Sequence, residues 1–120
     1  MTKKLAVVAI GGNSLIKDPL KTSFADHYQA CLETAHNVLK LVKHGYQVVI
    51  THGNGPQVGF LMRRGELAAS VVPPSPIDAY VAQTQGELGY ILQLAMTNQM
   101  QREEMRRPVA TIITQVRVNP

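Results

Sequence analysis

The sequence predicts an α/β fold with a mainly parallel sheet and flanking helices, and three observations carry that reading. The apolar runs Leu5-Ala6-Val7-Val8-Ala9-Ile10 and Val48-Val49-Ile50 lack the polar alternation of a half-exposed strand. Each run ends in a glycine-rich turn: Gly11-Gly12-Asn13-Ser14 after the first, His52-Gly53-Asn54-Gly55-Pro56-Gln57-Val58-Gly59 after the second. The remaining segments carry helical spacing, so the order is strand, helix, strand, helix, helix, strand, with right-handed crossovers.

The first strand, Leu5 to Ile10, is expected to be buried on both faces, as in a parallel sheet. A loop through Pro19 leads to Ser23, whose spacing to Asp26 matches a capping box. From there to His44, Tyr28, Cys31, Leu32, Ala35, Val38, Leu39 and Val42 recur at helical spacing. Lys40, Lys43 and His44 suit the last turn, and Gly45 stops the helix. The second strand spans 46–51, with β-branched Val48, Val49 and Ile50 at its centre.

Pro56 suits the first position of the next helix, which runs to about Ala69. Val72-Pro73-Pro74 breaks the chain. Ser75-Pro76-Ile77-Asp78 then reads as a serine cap, a proline at the first helical position and an acidic residue at the third. Helical spacing continues to about Met105, Pro108 ends it, and 109–118 is a third strand candidate. Gly86 and Gly89 fall inside this helix, each at a cost of about 1 kcal/mol relative to Ala. Close packing against another helix or a ligand loop would explain them.

Bulk properties bound the function. A chain of 120 residues is one domain at most, long enough to bury roughly two-thirds of its unfolded surface. The net charge of +4 comes largely from Lys3-Lys4, Arg63-Arg64 and Arg106-Arg107, at a terminus or near turns and helix ends. Those pairs read as solvated caps rather than as a nucleic-acid stripe. With no Trp and only two Phe, a base-stacking platform is not indicated. Cys31 is the only cysteine, so no disulfide forms within one chain, which suits a reducing compartment. It reads as a buried small hydrophobe, with a reactive thiol as the alternative. The apolar run after Met1-Thr2-Lys3-Lys4 is too short for a signal sequence, and no stretch approaches a membrane span. The expectation by elimination is a cytosolic protein.

The chemistry concentrates in the two turns. Glycine lets an anion approach the main chain and permits positive φ. Strand-to-helix turns of this kind, at the carboxyl edge of a parallel sheet, offer backbone N–H groups to phosphate or carboxylate. Asn13 and Asn54 add side-chain amides able to donate to an oxyanion. The plainer alternative is a pair of ordinary tight turns. Gly59 falls one residue late for a dinucleotide fingerprint, and no Walker run is present. His52 is read first as a structural hydrogen-bonding residue and second as a general base. His27, His36 and His44 lie on one helix without metal-ligand spacing, and no catalytic residue or metal ligand is assigned.

Ala9-Ile10-Gly11-Gly12-Asn13, the nine residues 51–59, Gln85-Gly86-x-x-Gly89-Tyr90 and Thr114-Gln115-Val116 together resemble carbamate kinase, within the amino acid kinase family. The similarity runs from Lys4 to about Val118. Acetylglutamate and aspartate kinases of this superfamily carry a lysine two residues before the double glycine; here that position is Ala9, as in the carbamate kinase branch. The resemblance implies a three-layer αβα fold, truncated, and reversible phosphoryl transfer between ATP and carbamate with Mg²⁺. It implies that Gly11, Gly12, Asn13, Gly53, Asn54 and Gly55 bind the transferring phosphoryl and carbamate. It also implies a homodimer formed through this amino-terminal half, with no nucleic-acid or membrane partner.

Family members are much longer. They continue into a lysine-bearing Pro-Thr-Lys-Pro loop and a nucleotide-binding half with further lysines and an aspartate, whereas this sequence stops at Asn119-Pro120. The expectation is therefore the carbamoyl-phosphate-binding half of a kinase domain, inactive alone. The alternative is a non-catalytic anion-binding or dimerisation module left after truncation.

Overall fold

Two β-branched runs pair in parallel and set the frame. In the computed structural model, which describes residues 4–16, 18 and 20–119 (at Asn13 the backbone alone), β1 (Leu5–Ile10) lies beside β2 (Gln47–His52). The register pairs Leu5 with Gln47 and Ile10 with His52. Between them runs α1 (Phe24–Lys43), preceded by a 3-10 turn at Gly12–Leu15. After β2 come α2 (Gly55–Ala68) and α3 (Ile77–Arg102). Met1-Thr2-Lys3, Pro19 in the expected loop, and Pro120 lie outside the described residues.

Local chemistry accounts for the limits of α1. Ser23 is its N-cap: the Ser23 hydroxyl accepts from the Asp26 N–H at 3.2 Å, and the Asp26 carboxylate accepts from the Ser23 N–H at 3.1 Å. At the other end Gly45 takes φ +85°, and the Gly45 and Tyr46 N–H groups donate to Val42 and Leu41. This is a Schellman closure. The same closure ends α3, where the Glu104 and Met105 N–H groups donate to Gln101 and Met100, with Glu104 itself at φ 55°.

At the start of α3 the expectation is off by one residue. Pro76 is the cap rather than the first helical residue, and its carbonyl accepts from the Ala79 and Tyr80 N–H groups. Ser75 does not cap; its N–H donates to the Tyr80 hydroxyl at 3.1 Å. The helix also ends at Arg102, before Met105, because the left-handed Glu104 turns the chain.

The core lies on one face of the sheet. Val8, Ile10, Val48 and Ile50 point to the packed layer of α1 and α3, where Cys31, Leu39, Leu88 and Ile91 are almost fully buried. Cys31 is thus the buried hydrophobe, and burial pushes its thiol pKa up to about 11. The other face is open: Leu5 and Val7 are 62% and 65% exposed, and Val49 is 46% exposed. Burial of β1 on both faces is therefore not observed. The helices α1 and α3 both cover the same side, while α2 packs against α3 and the 3-10 turn.

Residues 109–118 form no strand. Among the described residues the sheet holds only β1 and β2, and this segment pairs with neither. It lies along α3 instead. One side chain holds Thr114 by three bonds: the Thr114 N–H and hydroxyl donate to Gln85 Oε1 at 2.8 and 3.3 Å, and its carbonyl accepts from Gln85 Nε2 at 3.3 Å. One turn along, Thr111 packs on the missing side chain of Gly89, and its hydroxyl donates to Gln93 at 3.1 Å. Gly89 is explained by that contact, whereas Gly86 faces open space. The close helix approach occurs at Gly65 of α2, which sits against the Tyr80 ring of α3.

Candidate functional site

The parallel register brings both glycine turns to the carboxyl end of the strand pair, where α/β ligand sites lie. Ile10 and His52 are partners in the last rung, and the Gly53 N–H continues the ladder by donating to the Ile10 carbonyl at 3.0 Å. The two turns then touch backbone to backbone. A Cβ on Gly53 would stand 2.8 Å from the Gly12 nitrogen and 3.2 Å from the Gly12 Cα. A Cβ on Gly12 would meet the Gly53 carbonyl carbon at 3.5 Å and Pro56 Cδ at 3.5 Å.

These glycines do not serve positive φ. Among the described glycines only Gly45 has it. The requirement at Gly53 is close approach, and its N–H is engaged by Ile10. Free donors arise from the two helix starts instead. The 3-10 turn begins at Gly12 and α2 at Gly55, and the first N–H groups of a helix have no intrahelical acceptor. Gly11 closes the first turn by accepting from the Ser14 N–H at 2.9 Å.

Asn54 occupies the N-cap of α2, where its carbonyl accepts from the Val58 N–H at 3.0 Å, yet its side chain makes no cap bond. Its side-chain amide donates to Thr84 Oγ1 at 2.9 Å, and that fully buried hydroxyl donates to the Val81 carbonyl at 2.7 Å. One amide proton of Asn54 is therefore committed to α3, which fixes the second turn against that helix. Thr84 was not singled out by sequence; it lies 30 residues away with no motif of its own. The Asn13 side chain lies outside the described atoms. His52 is half-buried, with Nδ1 3.1 Å from the Gly53 carbonyl. A carbonyl only accepts, so this bond places the proton on Nδ1 and gives His52 a structural role in the turn.

No group of three or more His, Cys, Asp or Glu side chains able to hold a metal ion occurs among the described residues. The six turn residues, glycine and asparagine only, supply neutral donors rather than the oxygen anions that Mg²⁺ prefers. These residues alone do not fit a magnesium site. Among the described residues no helix is long and apolar enough to cross a membrane.

Comparison with known proteins agrees with this geometry. The profile of the Amino acid kinase family matches residues 4–118. The Carbamate kinase-like protein YahI of Escherichia coli is 44% identical over 119 residues, 98% of this chain and 37% of that protein. Carbamate kinase of Pyrococcus furiosus is 38% identical over 118 residues, 97% of this chain and 38% of the relative. Among solved structures, Giardia carbamate kinase superposes with a TM-score of 0.89 at 35% identity, over 98% of this chain and 40% of that one. Carbamate kinase from Giardia lamblia bound to AMP-PNP gives 0.84 at 33% identity, over 88% and 37%. The chain thus spans well under half the length of these relatives. With the family profile covering nearly every residue and the expected turns meeting at one sheet edge, the chain belongs to the amino acid kinase family.

Proposed function

We propose that this chain provides the carbamate and carbamoyl-phosphate side of a phosphotransferase that moves a phosphoryl group reversibly between ATP and carbamate. The observation that carries the reading is the backbone contact of Gly53 with Gly12, which brings two helix-start turns together at the carboxyl end of the strand pair. Phosphoryl transfer asks mainly for positioning and charge neutralisation, and preorganised N–H groups supply part of both.

In this reading Gly11 and Gly12 shape the first turn, and the N–H groups of Gly12, Asn13 and Gly55 face the transferring group. Gly53 contributes through its missing side chain, and Asn54 holds the second turn to α3 through Thr84. ATP as co-substrate is supported by the carbamate kinase relatives and by the AMP-PNP complex of one of them. Mg²⁺, when bound, would neutralise phosphate charge; no step is assigned to it on residues 1–120. The nucleotide-binding half, the cations and a homodimer interface belong to the same proposal, as does a cytoplasmic location.

The test is a titration of the isotopically labelled 120-residue chain with inorganic phosphate and with carbamoyl phosphate. The Gly12, Asn13 and Gly55 amide resonances should shift saturably, and the same chain should form no ATP from ADP and carbamoyl phosphate. Unmoved turn amides would remove the anion site. Mg²⁺-dependent turnover by the isolated chain would overturn the division into two halves.

A further inference from the structure

We propose that the pole opposite the glycine turns is a docking surface for an acidic peptide segment of a partner protein, anchored by one apolar side chain. The amino ends of β1 and β2 and the carboxyl ends of α1 and α3 meet at that pole. The Gln47 N–H donates to the Lys4 carbonyl at 2.8 Å, and an ion pair between Lys43 and Glu103 joins the end of α1 to the end of α3.

The net charge of the chain gathers there. Lys4, Lys40, Lys43, Arg102, Arg106 and Arg107, all exposed, stand against Glu103 and Glu104. That surplus of four equals the net charge of +4, so the other six basic and six acidic residues of the chain cancel. Three of these cations are already engaged. Lys43 pairs with Glu103, Lys40 donates to Asn37 at 2.9 Å, and Lys4 lies over the Tyr46 ring. The guanidinium groups of Arg102, Arg106 and Arg107 have no ion-pair or hydrogen-bond partner among the described residues.

A cavity of about 790 Å³ gives this charge a shape, and Arg106 and Arg107 both line it. The volume falls in the roughly 300–1,000 Å³ range of ligand-sized pockets. Half-buried Met105 and exposed Pro108 supply apolar wall, and a methionine adapts to varied apolar side chains. Glu104 also lines the cavity and opposes an anion, but two guanidinium groups outweigh it. The Gln99, Met100 and Gln101 carbonyls do not add to that opposition, because the N–H groups of the closing turn occupy them.

The wall selects the partner class. Guanidinium groups take carboxylates in bidentate pairs. Single-stranded nucleic acid is also anionic but binds on aromatic platforms, and among the described residues no aromatic side chain lines this cavity. A small inorganic anion would leave Met105 and Pro108 unused. A peptide with an apolar residue between its carboxylates uses both kinds of wall. The surplus charge also speeds encounter with an acidic partner.

The experiment titrates the 120-residue chain with acetyl-Asp-Glu-Leu-Asp-Glu-amide, following the Met105 methyl and the Arg106 and Arg107 side-chain resonances. The shifts should saturate with a Kd on the order of 100 μM. Affinity should fall several-fold as salt rises from about 0.01 to about 0.1 M, where the Debye length shrinks from roughly 30 to roughly 10 Å. Replacing the peptide leucine by glycine should weaken binding about tenfold. Arg106→Gln with Arg107→Gln should also weaken it about tenfold, with the amide spectrum away from the pole unchanged. Glu104→Gln should tighten binding about twofold, a gain that misfolding does not produce. No saturable shift, equal affinity for the two peptides, unchanged affinity in either variant, or tighter binding of oligothymidylate than of the peptide would overturn the proposal. None of these outcomes depends on the phosphate titration, so the phosphoryl-transfer reading fails or stands separately.

Discussion

Gly53 has no space for a side chain because the Gly12 backbone occupies it, at 2.8 Å from an ideal Cβ. The contact lies one residue past the last strand rung, Ile10 with His52, so the register of the sheet sets the spacing of the two turns. Sequence reads the glycines here as serving anion approach and positive φ. The structure places Gly53 here for approach, since it has no positive φ.

A substitution pair separates these two causes. Gly53→Ala should destabilise the protein by about 1–3 kcal/mol, because the methyl must push one backbone turn off another. At Gly55 no atom lies within 4 Å of the added Cβ, so Gly55→Ala should change stability by no more than about 1 kcal/mol. Urea denaturation of both variants measures the difference. Equal losses would assign the sensitivity to backbone conformation instead of contact. In a full-length context Gly53→Val should nearly abolish phosphoryl transfer.

Which features were legible depended on how far apart their causes lie in the chain. The capping box joins Ser23 to Asp26, three residues away, and Gly45 terminates its own helix, so α1 could be read almost to the residue. The glycine turns were legible because each follows an apolar strand. The open face of β1 was not, since what covers Val7 depends on other elements and not on the strand's own residues. The segment 109–118 has strand composition, but composition names no partner, and Gln85 of α3 takes up Thr114 instead. The bond from Asn54 to Thr84 links different helices, and no local pattern encodes it.

Acid should weaken the fold through two named carboxylates. Hydrogen bonds from the Ser23 hydroxyl and backbone N–H hold the Asp26 pKa below its ordinary 3.8. Hydrogen bonds from Lys43 and Gln99 hold Glu103 below its ordinary 4.5. In both, the folded pKa lies below the unfolded one. Their contribution is therefore complete above the unfolded values and lost as pH falls through the folded ones. Melting temperature should drop on acidification below about pH 4.5, the ordinary Glu103 value. The double variant Asp26→Asn, Glu103→Gln should start lower and show a flatter profile. An unchanged slope would remove both groups from the acid response.

The end of α3 should be improvable. Glu104 sits at φ 55°, where the Cβ of an L-residue crowds the backbone, and it completes the same closure that Gly45 completes for α1. Among the described residues the Glu104 side chain has no hydrogen-bond partner to lose; the Lys43 ion pair belongs to its neighbour Glu103. Glu104→Gly should therefore stabilise the protein by about 1 kcal/mol. Glu104→Val, β-branched, should destabilise it. The order of the three midpoints in thermal or urea unfolding checks the geometry, and a Gly variant below the parent would contradict it.

The open sheet face should make the chain associate. Leu5, Val7 and Val49 are large apolar residues exposed side by side on paired strands, with Val7 and Val49 directly in register. Both strands are also edges among the described residues, so unpaired backbone groups flank the apolar surface. Contiguous apolar surface of this kind marks an interaction site or an aggregation liability. Gly89 contributes nothing to such a surface, because Thr111 already covers it. At protein concentrations in the micromolar range the 120-residue chain should sediment as a dimer or larger. Val7→Thr with Val49→Thr keeps β-branched residues in both strands while making the face more polar, and should shift the distribution toward monomer. A parent chain that sediments as a stable, folded monomer would refute the association, and an unaltered oligomer in the double variant would move the interface away from this face.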